Sequence, residues 1–463
     1  MVRFMIRSSL PARAATALAA VQSIPPARLQ GRISGVSGLT VEVSGLARHL
    51  AIGDRIILAG RLGHEIAAEV VGFHGDTART MTFGPPEGLG PGGLAHAPLP
   101  IAGAPRGPAL AVADSWVGRI VDPFGRPLDG RGHLASGPSP RPVHAPPPPA
   151  TRRARLGSRL DLGVRVLNLF TTCRRGQRLG LFAGSGVGKS SLLAMLARHT
   201  ACDVAVLALV GERGREVREF VEDDLGPEGL ARAVVVAATS DMPPLARREA
   251  AYGAMTIAEH FRDQGKAVLL LMDSVTRFCL ALREIGLAAG EPPATRGFPP
   301  SVFAELPRLL ERAGPGPENL GKPAGSITAL FTVLVEGDDH HEPVADAVRG
   351  LLDGHVLLDR RIAEGGRYPA VNVLHSLSRA VPGCNSDEEN ALARRARAVL
   401  ALHADMADMV RLGAYRAGSD PAVDEAITVV PRLDAMLAQR RDERISLGDS
   451  FAALAAALDG SSP

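Results

Sequence analysis

The sequence predicts an α/β protein: a mainly parallel sheet flanked by helices, with a small β-barrel ahead of it and a helical domain behind. Three observations carry this. First, Asp203-Val-Ala-Val-Leu-Ala-Leu-Val210, Ala233-Val-Val-Val-Ala-Ala238, Ala267-Val-Leu-Leu-Leu-Met272 and Ser326-Ile-Thr-Ala-Leu-Phe-Thr-Val-Leu-Val335 are continuous apolar runs, separated by helical segments. Runs without polar alternation belong to strands covered on both faces. Second, residues 28–83 hold short β-branched runs, such as Leu39-Thr-Val-Glu-Val43 and Arg55-Ile-Ile-Leu58, divided by turns at Gly45, Gly53, Gly63 and Gly75. Such spacing suits a barrel. Third, strand patterns stop after about Cys384, and Ala/Arg/Leu-rich amphipathic segments run to the end. The expected division is 1–24, an N-terminal amphipathic helix that binds a partner; 25–95, the barrel; 96–385, the α/β core; and 386–463, the helical domain.

Taken in order, residues 1–41 carry five Arg and no Asp or Glu. Arg13 interrupts the apolar run and strand-like sequence soon follows, so a basic amphipathic helix over 10–22, able to touch a partner or a membrane surface, is expected in preference to a cleaved presequence. The barrel segment has no cluster of chemically useful side chains. Residues 84–111, rich in Gly, Pro and Ala, form a connector, and Trp116 to Gly130 is a strand followed by tight turns. The Pro-rich tract over 136–150 reads as a stiff strap along the surface.

The chain has 463 residues, 46% of them hydrophobic, enough for two or three domains with large cores. A net charge of +3 is too small to argue for nucleic acid. Cys173, Cys202, Cys279 and Cys384 lie far apart, which suits neither a zinc site nor a disulfide framework and implies reduced, mostly buried thiols in the cytosol. No apolar segment is long enough to cross a bilayer. Of 52 basic residues only Lys189, Lys266 and Lys322 are lysine.

Lys189 sits in the most informative stretch, Arg178-Leu-Gly-Leu-Phe-Ala-Gly-Ser-Gly-Val-Gly-Lys-Ser-Ser191, which reads strand, loop, helix. Glycines at 184, 186 and 188 let successive N–H groups turn inward around an anion, and the following helix adds unpaired N–H donors and the positive end of its dipole. This is a phosphate-binding loop: Ala183, Gly184, Ser185, Gly186, Val187, Gly188, Lys189, Ser190 and Ser191 form the candidate ATP-binding run. Lys189 reaches the β- and γ-phosphates and the Ser190 hydroxyl meets Mg²⁺. Ala183 stands where the strict motif has glycine.

Two further strand ends bear carboxylates, where ligands of such sheets bind. Glu212, after the run 203–210, is placed to activate water. Asp273, ending the run 267–272, suits an Mg²⁺ ligand acting through water. Loop, then Glu, then Asp on successive strands fits a RecA-like hydrolase; neither a kinase acceptor site nor a base-reading motif accompanies it. His340-His341-Glu342 reads as a solvated loop, because adjacent histidines suit one metal poorly.

These motifs, with Gly211-Glu-Arg-Gly-Arg-Glu216, Met272-Asp-Ser-Val-Thr-Arg-Phe278, Gly290-Glu-Pro-Pro-Ala-Thr-Arg-Gly-Phe-Pro-Pro-Ser-Val-Phe303, Glu336-Gly-Asp-Asp339 and Tyr368-Pro-Ala370, resemble the flagellar protein-export ATPases, a family similar to injectisome export ATPases and to the catalytic subunit of rotary ATP synthases. The resemblance implies a Mg-ATPase ring of six copies, with Glu212 as general base and Arg213 beside it at the γ-phosphate. Tyr368 would pack on adenine, with Tyr415 as a second ring. In Ser376-Leu-Ser-Arg379, Arg379 would be an arginine finger given to the neighbouring subunit. The implied partners are a stalk-like regulator at the N-terminal helix, a central coiled-coil component, and export chaperones and substrates. The implied place is the cytoplasmic face of the inner-membrane export gate, in peripheral contact with the membrane. Asn372 and His375 depart from the family pattern, which usually has Asp at 372 and a small residue near 375. An injectisome ATPase shares the motifs. A proton-translocating ATP synthase subunit fits less well, since its loop differs. A Rho-like RNA translocase needs an aromatic RNA-binding domain that the N-terminal segment lacks, and a non-enzymatic nucleotide-binding scaffold would be exposed by Glu212→Gln.

Overall fold

The computed structural model describes residues 28–60, 63–98, 107–318, 324–335 and 342–460, together with Ala14. The amphipathic helix expected over 10–22, His340, His341 and the run 336–339 lie outside the described residues, Ala14 excepted.

Two compact units are present: residues 1–108 with 288–291, and the rest of the chain. The first contains a closed barrel of six antiparallel strands, β1 (Arg28–Ser37), β2 (Thr40–Ser44), β3 (Arg55–Ala59), β4 (Glu65–His74), β5 (Thr77–Thr82) and β6 (Leu94–Pro98), ordered β1-β2-β5-β4-β3-β6. Val41, Val43, Ile56 and Leu58 point inward while their neighbours are half-exposed, the period-two pattern of a strand with one dry face. The barrel expected from the Gly-punctuated strands is therefore present.

In the second unit, a sheet runs in the order β14-β13-β8-β12-β11-β9-β10-β7. Its strands are β7 (Ile120–Val121), β8 (Arg178–Ala183), β9 (Val204–Glu212), β10 (Ala233–Thr239), β11 (Ala267–Asp273), β12 (Ser326–Leu334), β13 (Gly354–Leu357) and β14 (Leu377–Ser378). All these pairings are parallel except β13 with β14; a two-residue strand, Gly314–Pro315, adds antiparallel to β12. Alternate residues of one strand serve different cores. Leu207 and Leu209 pack on the side of α1 (Lys189–His199), and Val206, Ala208 and Val210 on the side of α2 (Pro244–Arg262). This two-sided burial is why the strands read as unbroken apolar runs.

Strand β12 separates the strand of the phosphate loop from the strands that bear Glu212 and Asp273, so the loop has no direct strand neighbour carrying a carboxylate. The last long apolar run in sequence is the central one in space.

The helical tail forms α4 (Asp387–Arg411), α5 (Pro421–Leu437) and α6 (Leu447–Asp459), which follow α3 (Val275–Ala289) in our numbering. Ser386 and Glu389 make a reciprocal capping box at the start of α4. Ala396, Leu433 and Leu454 belong to the same apolar core as the α1 face of the sheet. All four cysteines are free; Cys173 and Cys279 are buried, and burial pushes both thiols well up.

The Pro-rich strap is tied down from below. Arg312, fully buried, donates Nε and Nη2 to Glu259 at 3.0 and 2.6 Å, Nη1 to the Val143 carbonyl at 2.6 Å and Nη2 to Thr256 at 3.1 Å. Arg312→Met is expected to destabilise the second unit by about 3 kcal/mol, because Glu259 loses both close hydrogen bonds and keeps only Arg262 Nη1 at 3.9 Å. Arg312→Met/Glu259→Met should recover most of that loss in thermal midpoint.

Candidate active site

The site grows from the end of β8. Gly186 and Gly188 take φ of 78° and 90°, a region that other residues avoid. At Gly188 a second constraint applies: a Cβ there would lie 3.1 Å from the Tyr368 ring. Val187 is buried and anchors the loop to the core beneath it. The rest of the run 183–191 lines a cavity of about 610 Å³ with Glu212, Arg213, Asp273, Arg277 and Arg360 among its other walls.

Charge in the cavity is closely paired. Lys189 Nζ lies 2.5 Å from Asp273 Oδ1 and 3.6 Å from Glu212 Oε1. Arg277 Nε lies 3.1 Å from Glu212 Oε1. Burial raises the Glu212 carboxyl above its ordinary range and the Asp273 charge raises it further, while Lys189 and Arg277 act against both. Thr332, reaching across from β12, donates its hydroxyl to Asp273 Oδ1 at 2.8 Å. Among the described residues nothing hydrogen-bonds Asp273 Oδ2 or the exposed Ser190 hydroxyl. No group of three or more His, Cys, Asp or Glu able to hold a metal is present among them either. Two hard oxygens beside an anion cradle fit Mg²⁺, which takes one or two protein ligands and completes its shell with phosphate oxygens and water.

Other expected site residues lie differently. Arg213 is at the rim of the cavity, its side chain 75% exposed and paired with Glu216 at 3.3 Å. Tyr368 is half-exposed with its ring against Gly188. The Tyr415 hydroxyl donates to Asp424 Oδ1 and to the Asp420 carbonyl, both at 3.0 Å, in the segment joining α4 to α5, and Tyr415 does not line the cavity. Arg379 is exposed just past β14 and does not line the cavity of its own chain.

Two cavity residues, Arg277 and Arg360, and the buried Thr332 behind Asp273 escaped the sequence reading. Arg277 falls one helical turn beyond Asp273, a spacing that would have found it. Thr332 is a polar interruption of an apolar strand. Arg360, whose Nη2 donates to the Ser185 carbonyl at 3.1 Å, carries no local signal.

Comparison with known proteins decides the family. Residues 163–378 match the ATP synthase alpha/beta family, nucleotide-binding domain; residues 33–94 match the beta-barrel domain of that family; and residues 385–456 match the T3SS EscN ATPase C-terminal domain. A flagellum-specific ATP synthase of Caulobacter vibrioides is 56% identical, covering 94% of this chain and 97% of that protein. The chain belongs to the flagellum-specific ATP synthase family. A second relative, the flagellum-specific ATP synthase of Bacillus subtilis, is 46% identical over 92% of this chain and 94% of that one. The assembled ATPase EscN of the enteropathogenic E. coli type III secretion system superposes with a TM-score of 0.82 at 37% identity, over 92% of this chain and all of that chain. As a member of the flagellum-specific ATP synthase family the protein is an ATPase, and an ATP-binding cavity around the loop 183–191 agrees with that.

Proposed function

We propose that the protein hydrolyses MgATP as a homohexameric ring and that this drives export of flagellar proteins. The observation that carries the reading is the division of the site. Lys189, Glu212 and Asp273 converge on the loop, whereas Arg379 is displayed outside its own cavity, available to a neighbouring copy.

In this reading the loop N–H groups and Lys189 hold the β- and γ-phosphates, and Tyr368, with Tyr415 as a second ring, packs on adenine. Ser190 and Asp273 would hold Mg²⁺, which would draw charge from the phosphate oxygens. Asp273 exchanges its contact with Lys189 for that role, freeing the ammonium for phosphate. Glu212 orients water in line with the γ-phosphorus and accepts its proton. Arg277 holds the Glu212 carboxylate in place. Arg213 swings from Glu216 toward the γ-phosphate, and Arg379 of the adjoining copy stabilises the charge on the transferring group.

The division 1–24, 25–95, 96–385 and 386–463 then separates a partner-binding segment, a ring-forming barrel, the motor and a helical domain. The EscN structure solved with its central stalk EscO supports a coiled-coil partner in the ring axis here. A stalk-like regulator at the N-terminal segment, export chaperones and a cytoplasmic position with peripheral contact at the inner-membrane export gate complete the proposal. Among the described residues no helix is long and apolar enough to cross a membrane.

Dilution tests the ring. Specific ATPase activity of the wild type is expected to rise with chain concentration to a plateau, in step with assembly measured by sedimentation, whereas Arg379→Ala should stay low at every concentration. Full activity from a monomer, matched by Arg379→Ala, would sink the ring. Restored motility when the gene is supplied to a flagellar-export null strain tests the export half; injectisome secretion restored instead would reassign it.

A further inference from the structure

We propose that Asn372 is a positioning residue for Arg379: its side chain ties the turn leading to Arg379 to Asp359, and thereby to the phosphate loop of the same chain. The proposal rests on reading Arg379 as the residue given to a neighbour.

Asn372 uses every polar group it has. Its Nδ2 donates to Asp359 Oδ2 at 2.9 Å, and its Oδ1 accepts from the N–H groups of Leu374 and His375, both at 3.1 Å. Its backbone N–H donates to the Leu357 carbonyl at 2.8 Å, and its carbonyl accepts from Ser376 Oγ at 2.6 Å. Ser376 Oγ in turn accepts from the Leu357 N–H at 3.0 Å. The amide has one workable orientation, since a carboxylate needs the NH₂ and two N–H groups need the oxygen. The turn 372–376 is thus fixed at its first residue, and it runs directly into β14 and Arg379. At the far end the Arg379 N–H donates to the Asp353 carbonyl at 2.9 Å.

Asp359 connects the turn to the phosphate loop. Its Oδ1 accepts from the Arg361 N–H at 2.8 Å, capping the short helix Arg360–Glu364. The adjoining Arg360 donates to the Ser185 carbonyl in the phosphate loop. Two consecutive residues therefore touch the loop on one side and Asn372 on the other. The helical tail holds the same turn independently: Arg397 of α4 donates to the carbonyls of Val373 at 2.6 Å and Ser376 at 3.2 Å.

The amide at position 372 is what this contact needs. With Asp at 359, an aspartate at 372 would set two carboxylates in contact, and repulsion would open the turn. Asparagine supplies the donor that Asp359 needs.

Asn372→Asp is expected to lower kcat about tenfold while the KM for ATP stays within about twofold, as for a group that acts only in the transition state. Asp359→Asn/Asn372→Asp, which reverses donor and acceptor, should return kcat to within about twofold of wild type. Asn372→Ser, which adds no charge, should lower kcat about threefold and keeps the test readable if the aspartate variant does not assemble. An unchanged kcat in both single variants, or a reversed pair no better than Asn372→Asp, would overturn the proposal. Mixed rings separate it from the finger reading. Excess Glu212→Gln chains, with intact Arg379, should raise the turnover of both Arg379→Ala and Asn372→Asp chains. Failure to rescue Arg379→Ala refutes the trans finger; rescue of Arg379→Ala alone refutes the role of Asn372.

Discussion

Glu212→Gln is expected to lower turnover by about 10³-fold or more, the upper range for loss of a general base, while nucleotide binding survives and thermal stability rises. Glutamine keeps the shape and can still accept from Arg277, so the cavity should not collapse. It loses the charge that takes a proton from water. The stability gain follows from the raised carboxyl. A carboxylate whose folded pKa lies above its unfolded value contributes stability below the unfolded pKa, and loses that contribution as pH rises through the folded one. At neutral pH the ionised Glu212, buried and close to Asp273, is therefore a net cost that glutamine removes. The difference in melting temperature between variant and wild type should shrink as pH falls through the carboxylate range. By the same sign, wild-type kcat/KM should climb with pH along a limb placed above the ordinary carboxylate range. A coupled phosphate-release assay with thermal melts across pH tests all three. A variant that turned over within tenfold of wild type, or that melted lower at neutral pH, would remove Glu212 from the role of base.

What could be read in the sequence was local. The loop 183–191 was legible because strand, glycines and helix are contiguous, and Asp273 because an apolar strand ended on a carboxylate. Burial on both faces made β9 to β12 unmistakable as strands. Their order was not legible: parallel neighbours are joined by long crossovers, and nothing within Ser326–Leu334 says that it slips between the loop strand and β11. Thr332 was lost with that order, since its value depends on facing Asp273. Arg360 follows β13, far along the chain from the loop it touches. Arg213 and Arg379 show a different limit: Arg213 sits at the cavity rim paired with Glu216, and Arg379 does not line the cavity of its own chain. Their proposed contribution would depend on bound nucleotide or a neighbouring copy, which a single chain does not display.

Lys189→Met is expected to abolish turnover and also to destabilise the protein, and the two effects should come apart on a second substitution. The Lys189 side chain is 12% exposed and faces Asp273, itself 7% exposed, at 2.5 Å. Methionine fills the volume but removes the cation. Asp273 and Glu212 then face each other with only Arg277 in partial compensation, and a buried pair broken on one side typically costs about 3–5 kcal/mol. Thermal midpoints of the unliganded protein read this loss. Asp273→Asn on the same chain removes the stranded charge, so Lys189→Met/Asp273→Asn should regain most of the midpoint. Turnover should not return, because the ammonium proposed to meet the phosphates and the carboxylate proposed to serve Mg²⁺ are both gone. Loss of the lysine alone should cost about 10³-fold or more in kcat, by analogy with removal of a strong preorganised donor. A fluorescent ATP analogue measures the accompanying loss of binding. If the single variant melted like wild type, the Lys189–Asp273 contact would contribute nothing to the unliganded fold. If the double variant recovered both midpoint and turnover, neither side chain would belong to the chemistry. The expected outcome, stability restored without activity, would identify the pair as groups that hold each other until nucleotide separates them.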